Sequence, residues 1–171
     1  MTNGGKDEVL EPPRTNTSPL LNRSTALPPR IFAYDIPMTN IAIEFALYDD
    51  HPLDRLALNL TITSVQRWLR AHLAAQGDDW LAPTDTPFVS FVHGQCFLRT
   101  DSLKAPNGRL RMTYKTALAI YDAFEEVFIE QGNEVEGAMR MSVADIVVGH
   151  GSATVNNPAS ESVKDGMVSG V

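Results

Sequence analysis

The chain has 171 residues, of which 43% are hydrophobic and 20% are charged, and its formal net charge at pH 7 is −7. This length and composition predict one globular domain with a substantial core and exclude two domains of ordinary size. No run of about 18 apolar residues is present, so we expect no membrane-spanning segment and no membrane partner. The single cysteine, Cys96, excludes an intramolecular disulfide, and the polar residues 1–10 lack the apolar stretch of a secretory signal. We therefore predict a cytoplasmic or nuclear location.

The distribution of charge bears on nucleic-acid partners. From Ile31 to Val155, 9 Lys and Arg residues face 16 Asp and Glu residues, which gives this stretch a net charge of −7. Nucleic-acid binding depends on clustered cations that neutralise phosphates, so an acidic domain of this kind is not expected to bind DNA or RNA. A net negative charge of this size is typical of proteins that stay soluble through charge repulsion.

Both ends of the chain lack the patterns of folded elements. Residues 1–29 contain five prolines and no sustained hydrophobic periodicity, and residues 156–171 are rich in Ser, Gly, Asn and Val without an amphipathic face. We therefore predict disordered tails at 1–29 and 156–171, with a single α+β domain over residues 30–155.

The first half of this domain predicts two strands and a long helix. A short edge strand at Arg30–Asp35 precedes Ile41–Tyr48, an apolar stretch that is typical of an inner strand. Asp49–Pro52 resembles a helix start, because proline suits the first helical position and aspartate suits the positive end of the helix dipole. The helix is expected over Leu53–Gln76, with Gly77 ending it.

Two apolar stripes lie along this predicted helix. The longer one has helical spacing, and it runs through Leu58, Ile62, Val65, Leu69, His72 and Leu73. A second one, turned away from it, consists of Leu53, Leu56 and Leu60.

The second half predicts four strands and one helix. The strands are Phe88–Val92, Gln95–Arg99, Glu134–Val143 and Asp145–Val155, with a tight connection at His93-Gly94, and the helix runs from a Thr113 cap to Gln131. The resulting order, β-α-β-β-α-β-β, predicts a two-layer α+β fold, a variant of the ferredoxin-like fold in which an antiparallel sheet carries two helices on one face.

A resemblance accompanies this order. Tyr34-Asp-Ile-Pro37 before an apolar strand, and Met112-Thr-Tyr114 opening the second helix, make Arg30–Val155 similar to small uncharacterised proteins of filamentous fungi. That family has no assigned activity, so the resemblance implies domain boundaries and no function.

One basic cluster stands out from the acidic background. Four of the domain's cations fall within thirteen residues around a Pro-Asn-Gly turn, namely Arg99, Lys104, Arg109 and Arg111. They are candidates for binding a small anionic ligand or an acidic protein partner. The alternative is that long cations protect a sheet edge from aggregation.

Three further residues are candidates for a pocket between the helices and the sheet. His72 lies in the apolar stripe one helical turn from Trp68, and it could act as a general base or as a histidine whose polar edge is simply solvated. His93 lies three residues from Cys96, where a Cys–His pair is conceivable but a buried structural cysteine is the commoner arrangement. No histidine pair or cysteine set has metal-ligand spacing, so no metal or cofactor is predicted.

Two functional hypotheses follow. The first is a non-enzymatic binding or assembly module that forms a homodimer through its sheet, because Phe88, Phe91, Phe97 and nearby valines are more apolar than a solvated sheet face requires. The second is a small cofactor-free enzyme or small-molecule carrier with a pocket between sheet and helices, which rests on fold analogy. No residue is assigned a catalytic role.

Overall fold

A computed structural model describes residues 27–155, and the two predicted tails lie outside this range apart from residues 27–29. The chain forms an α+β structure with one sheet and two helices, as predicted. The strands are β1 (Arg30–Asp35), β2 (Ile41–Pro52), β3 (Phe88–Val92), β4 (Cys96–Ser102), β5 (Val135–Val143) and β6 (Ile146–Thr154). The helices are α1 (Arg55–Gln76) and α2 (Tyr114–Phe124), and α2 continues as a π-helical segment, Glu125–Glu130.

The six strands form one antiparallel sheet in the order β1-β2-β5-β6-β4-β3. In the ferredoxin-like fold, two strands joined by a helix are separated by a single strand. Here α1 joins β2 to β3, and three strands lie between them. The ferredoxin-like order is therefore not confirmed, because the β5–β6 hairpin occupies the centre of the sheet.

Both helices pack on the same face of the sheet. Cys96 and Thr100 lie on one face of β4, since their positions in the strand differ by four. The Thr100 hydroxyl is 2.9 Å from the Tyr121 hydroxyl of α2, and Thr61 Oγ1 of α1 is 3.7 Å from Cys96 Sγ. The opposite face of the sheet, which we call the open face, carries no helix within residues 27–155.

The core lies between the sheet and the two helices. The alternation predicted for β2 is confirmed, because its odd-numbered residues from Ile41 to Leu47 are buried. The largest fully buried side chains come from both layers: Tyr121, Phe45, Phe124, Phe128, Ile43, Leu47, Leu58, Ile62, Leu69, Leu98, Met112 and Ile120. No helix in the described range is both long and apolar enough to cross a membrane.

The predicted start of the first helix is wrong. Asp49–Pro52 continues strand β2, in which Pro52 pairs with Val135 after a shift in register. The helix begins instead after Asp54, whose carboxylate accepts a hydrogen bond of 2.7 Å from the backbone N–H of Ala57. Such a cap satisfies one of the unpaired N–H groups at a helix start, which a proline alone cannot do. The predicted end at Gly77 and the Thr113 cap of α2 are both confirmed.

Glycines in β6 allow a close approach between strands. A Cβ atom on Gly149 would collide with the backbone oxygen of Asp101 and with the Met112 side chain. The glycine at position 149 is therefore explained by this close packing inside the sheet.

Candidate functional site

Strand β3 forms one edge of the sheet, and no strand in the described range pairs with its outer side. Its five residues, Phe-Val-Ser-Phe-Val, include no charged side chain. Val89 and Phe91 point to the open face and are 44% and 61% exposed. An unpaired strand with exposed apolar side chains and no charge is prone to pair with another strand.

A row of exposed side chains on α1 runs beside this strand. Leu56, Leu60, Ser64 and Trp68 are spaced four residues apart, so they lie along one side of the helix. The Ser64 hydroxyl is 2.7 Å from the Ser90 hydroxyl of β3, which brings the row against the strand. Three of its members are large and apolar, and each has an exposed side chain. We call β3 together with this row the β3 edge.

Aromatic rings pack where the α1 row meets the start of β3. The ring of Trp68 packs against Phe88 at 5.7 Å and lies 5.4 Å from the His72 ring, measured between centroids. The His72 ring stacks on Tyr114 at 3.7 Å. The sequence thus correctly associated Trp68 with His72, but it missed Tyr114, which joins them from α2.

Tyr114 is held by hydrogen bonds at its hydroxyl. The hydroxyl donates to Asp85 Oδ2 at 2.5 Å and accepts from the Ala82 N–H at 3.2 Å. Burial and the hydrogen bond to Asp85 raise the pKa of the Tyr114 hydroxyl. Asp85 also lines a cleft of about 370 Å³ whose other walls include Trp68, Phe88 and Ser90. This cleft opens along the β3 edge, between the strand and α1.

The other two pocket candidates, His72 and His93, do not line this cleft. His93 is exposed in the β3–β4 turn, and His72 is not among the residues that line the cleft. Cys96 faces α1, where Thr61 is its neighbour, and burial raises the pKa of its thiol. A raised pKa keeps the thiol protonated at neutral pH, so Cys96 has the properties of a structural cysteine.

The predicted basic cluster is divided between two surfaces. Arg99 lies on the open face and pairs with Asp101 at 2.7 Å. Arg109 and Arg111 line a groove at the end of the β5–β6 hairpin, where the Arg109 guanidinium lies 3.8 Å from the centroid of the Trp80 ring. Lys104 forms a backbone bridge with Leu110 in the loop that joins β4 to α2. The structure thus brings together two of the four predicted cations, and it places Trp80, which the sequence analysis did not associate with them, beside Arg109.

The open face is polar along its middle. Arg140 pairs with Glu44 at 2.9 Å, and the Arg99–Asp101 pair lies on the same face. Phe88, which we expected to add to an apolar surface there, is instead buried against Tyr121 and Trp68 on the helix side. Among the exposed large apolar side chains of the strands, Ile31, Val89 and Phe91 belong to the two edge strands, and Tyr48 and Ile146 belong to inner strands.

A histidine–carboxylate pair occupies the open face near the end of β2. His51 Nδ1 lies 3.0 Å from Glu136 Oε2, and the His51 ring stacks on Tyr48. The second Glu136 oxygen accepts from the Val155 N–H at 2.6 Å. Within residues 27–155 no three His, Cys, Asp or Glu side chains are grouped as metal ligands would be.

Comparisons with protein-family models, curated proteins and solved structures give no match to this chain.

Proposed function

We propose that this protein is an assembly module that forms a homodimer through the β3 edge. Of eleven large apolar side chains that are exposed in the described range, five lie at this edge. They are Leu56, Leu60, Trp68, Val89 and Phe91. Exposed apolar side chains scattered singly are normal, whereas several along one unpaired strand and the helix beside it favour an interaction surface.

The sequence of β3 suits pairing with a second copy of itself. In an antiparallel pair with its two-fold axis at Ser90, Val89 lies opposite the second copy's Phe91, and Phe88 lies opposite the second copy's Val92. Pairs of an aromatic and a β-branched side chain stabilise antiparallel strands. The absence of charge in β3 means that no like charges meet across the axis. A two-fold axis uses the same surface twice, as most homodimers do.

The α1 row would extend this contact beyond the strand. Two copies paired at β3 also bring their α1 helices together on the helix side of the combined sheet. Leu60 and Trp68 would then be covered, which adds apolar area to the backbone hydrogen bonds of the strand pair. The dimer would thus cover both the unpaired strand β3 and the exposed apolar side chains of α1.

Sedimentation velocity of the full chain tests this proposal. We expect the wild-type protein to sediment as a dimer at micromolar concentration. Phe91→Lys places a charge at the proposed interface and should raise the dissociation constant by about thirtyfold or more, as expected for a side chain that contributes at least 2 kcal/mol to binding.

The matched control is Ile31→Lys, because Ile31 is also exposed on the open face but belongs to the opposite edge strand. This variant should dimerise like the wild type, and circular dichroism should show that both variants are folded. A wild-type chain that stays monomeric at high micromolar concentration, or equal dissociation of both variants, would contradict the proposal.

The second candidate is a small-molecule carrier that uses the cleft between α1 and β3. The observation in its favour is the cleft of about 370 Å³ with Trp68 and Asp85 in its walls, a volume within the usual range for ligand sites. Because this cleft opens on the β3 edge, a ligand and a second copy would compete for the same surface. Native mass spectrometry distinguishes the two, since a monomer with added mass supports the carrier and a dimer without added mass supports assembly.

A further inference from the structure

A second surface, which shares no residue with the β3 edge, has the properties of a ligand site. The groove lies between the end of the β5–β6 hairpin and the loop that joins β4 to α2, and its volume is about 350 Å³. Apolar groups dominate its lining: Trp80, Ala105, Leu110, Val143, Ile146 and Val148. Ile146 is 59% exposed and Trp80 is 39% exposed, so the groove presents apolar surface to solvent.

The loop that forms one wall is well supported by hydrogen bonds. The Ala105 N–H donates to the Arg109 carbonyl at 2.7 Å, and the Leu103 N–H donates to the Val148 carbonyl of β6 at 2.8 Å. Gly108 has φ +80°, which a glycine adopts at little cost. The wall is therefore held in place against the sheet before any ligand arrives.

Two arginines line this groove, and neither forms an ion pair with a described residue. The Arg109 guanidinium stacks on Trp80, and its side chain makes no hydrogen bond within residues 27–155. Arg111 donates from Nη1 to the Val147 carbonyl at 2.9 Å. By contrast, five arginines elsewhere in this range pair with carboxylates: Arg30, Arg55, Arg70, Arg99 and Arg140.

Because its two arginines have no carboxylate partner among the described residues, the groove is suited to an anionic ligand. The domain has an excess of carboxylates, yet none of the described ones lies within ion-pair distance of Arg109 or Arg111. The contact with Trp80 holds the Arg109 guanidinium over the indole ring, and its N–H groups make no hydrogen bond with a described residue. A guanidinium binds a carboxylate in a planar, bidentate arrangement, so these N–H groups suit a carboxylate ligand.

We propose that this groove binds a small amphipathic carboxylate, with its acid group at Arg109 and its apolar body against Ile146 and Val148. Arg111, which also lines the groove, adds to its positive potential. The apolar lining disfavours inorganic anions, because they would gain nothing from Val143, Ile146 and Val148. The volume is at the small end of the usual range for ligand sites, roughly 300–1,000 Å³, which favours a compact molecule.

Heteronuclear NMR of the full chain tests this site directly. The sequence has two tryptophans, Trp68 and Trp80, so the spectrum contains two indole N–H resonances. Trp68→Phe assigns them. We expect hydrocinnamate, a phenyl ring joined to a carboxylate by two methylene groups, to shift the Trp80 resonance and to leave the Trp68 resonance in place.

The matched ligand is the uncharged amide of hydrocinnamate, which has the same apolar body. Losing the charge-assisted hydrogen bonds should weaken binding by about tenfold. Inorganic phosphate alone should not shift Trp80. Equal affinity for the acid and the amide, no shift of Trp80 at millimolar hydrocinnamate, or phosphate binding as tight as hydrocinnamate would each overturn the proposal.

The matched variants are Arg109→Gln and Arg67→Gln. Arg67 is exposed on α1 and, among the described residues, forms neither an ion pair nor a hydrogen bond with its side chain, so it controls for loss of one positive charge. Arg109→Gln should weaken hydrocinnamate binding about tenfold, and Arg67→Gln should leave it unchanged. Equal weakening by both variants would show that only net charge matters and would overturn the site.

Discussion

The two edge strands of this sheet, β1 and β3, differ in how far they are protected from pairing with another chain. β1 has a charged residue at each end, Arg30 and Asp35, whereas β3 has none. Arg30 pairs with Asp49 of the neighbouring strand and hydrogen-bonds Asn133 at 2.9 Å, so β1 is tied to the domain by polar contacts. Charges and short length are the usual means by which an edge strand avoids pairing with another chain.

β3 is also short but lacks the charges, and it is anchored on its inner side instead. Phe88 is buried against the helices, and its neighbours Val89 and Phe91 are exposed on the open face. The unprotected edge also coincides with the exposed row on α1, which has no counterpart beside β1 in the described range. The difference supports the proposal that a second copy pairs at β3 and not at β1.

The largest effect that should distinguish the two edges is on stability. Phe88→Ala removes a buried ring that packs on Tyr121 and Trp68, and it should lower the free energy of unfolding by about 3–5 kcal/mol. Phe32→Ala in β1 removes a half-buried ring that stacks on Phe45, so its cost should be less than half of that. Urea denaturation at one fixed protein concentration measures both. An equal or larger cost for Phe32→Ala would mean that β3 is not the better anchored edge.

The next effect concerns backbone protection. If β3 pairs with a second copy, amide hydrogens of Val89 and Phe91 exchange mainly from the monomer. The monomer fraction of a mostly dimeric protein falls with the square root of concentration, so a hundredfold increase in concentration should slow the dimer-protected amides about tenfold. Exchange in β1, at Ile31 and Ala33, should not depend on concentration. Hydrogen-exchange mass spectrometry resolves the two strands, and concentration-independent exchange in β3 would contradict the pairing.

A smaller effect is expected on the rate at which the Cys96 thiol is labelled, which reports on the β3 edge locally. Cys96 pairs with Val92 at the hairpin end of β3, and burial keeps its thiol protonated. Labelling with a thiol-specific reagent should be slow in the native chain, faster in Phe88→Ala, and unchanged in Phe32→Ala, because only the first variant loosens the β3 side. Similar acceleration by both variants would show that labelling follows global unfolding.

The same thiol predicts a dependence of stability on pH. Because its pKa is raised in the folded chain, its contribution to stability is complete below the unfolded thiol pKa of roughly 8.5 and declines as the pH rises above that value. Cys96→Ala should therefore reduce the loss of stability at alkaline pH. Part of the slope should remain, since burial also raises the pKa of Tyr121.

Much of the fold could be predicted from the sequence because local patterns determine it. The alternation in β2, the apolar stripe of α1 and the Thr113 cap are properties of short stretches, and all three were predicted correctly. The start of α1 was not, because proline and aspartate also occur at the end of a strand, and pairing with β5 decides between the two. The position of β6 inside the sheet is a long-range property that no local pattern contains.

The candidate sites were predicted only in part for the same reason. Trp68 and His72 are one helical turn apart, so their association follows from spacing. Tyr114 joins them from α2, and Trp80 reaches Arg109 from a distant loop, which only the folded chain shows. The uncharged β3 and the leucines of α1 were visible as separate signals, but their proximity depends on α1 packing beside β3.

The smallest expected effect is electrostatic and belongs to β1. The guanidinium of Arg30 lowers the pKa of the Asp49 carboxyl through their hydrogen bonds. Its contribution to stability is therefore present above the unfolded aspartate pKa of roughly 3.9 and is lost as the pH falls through the lower, folded value. Arg30→Gln should raise the pKa of Asp49, as measured by NMR titration, and Arg67→Gln should not.

Because exposed pairs are screened by salt, 1 M NaCl should reduce the stability difference between Arg30→Gln and the wild type, whereas an apolar β3 contact should persist. Dimers that dissociate in high salt would show that charge, not apolar contact, holds the β3 edge.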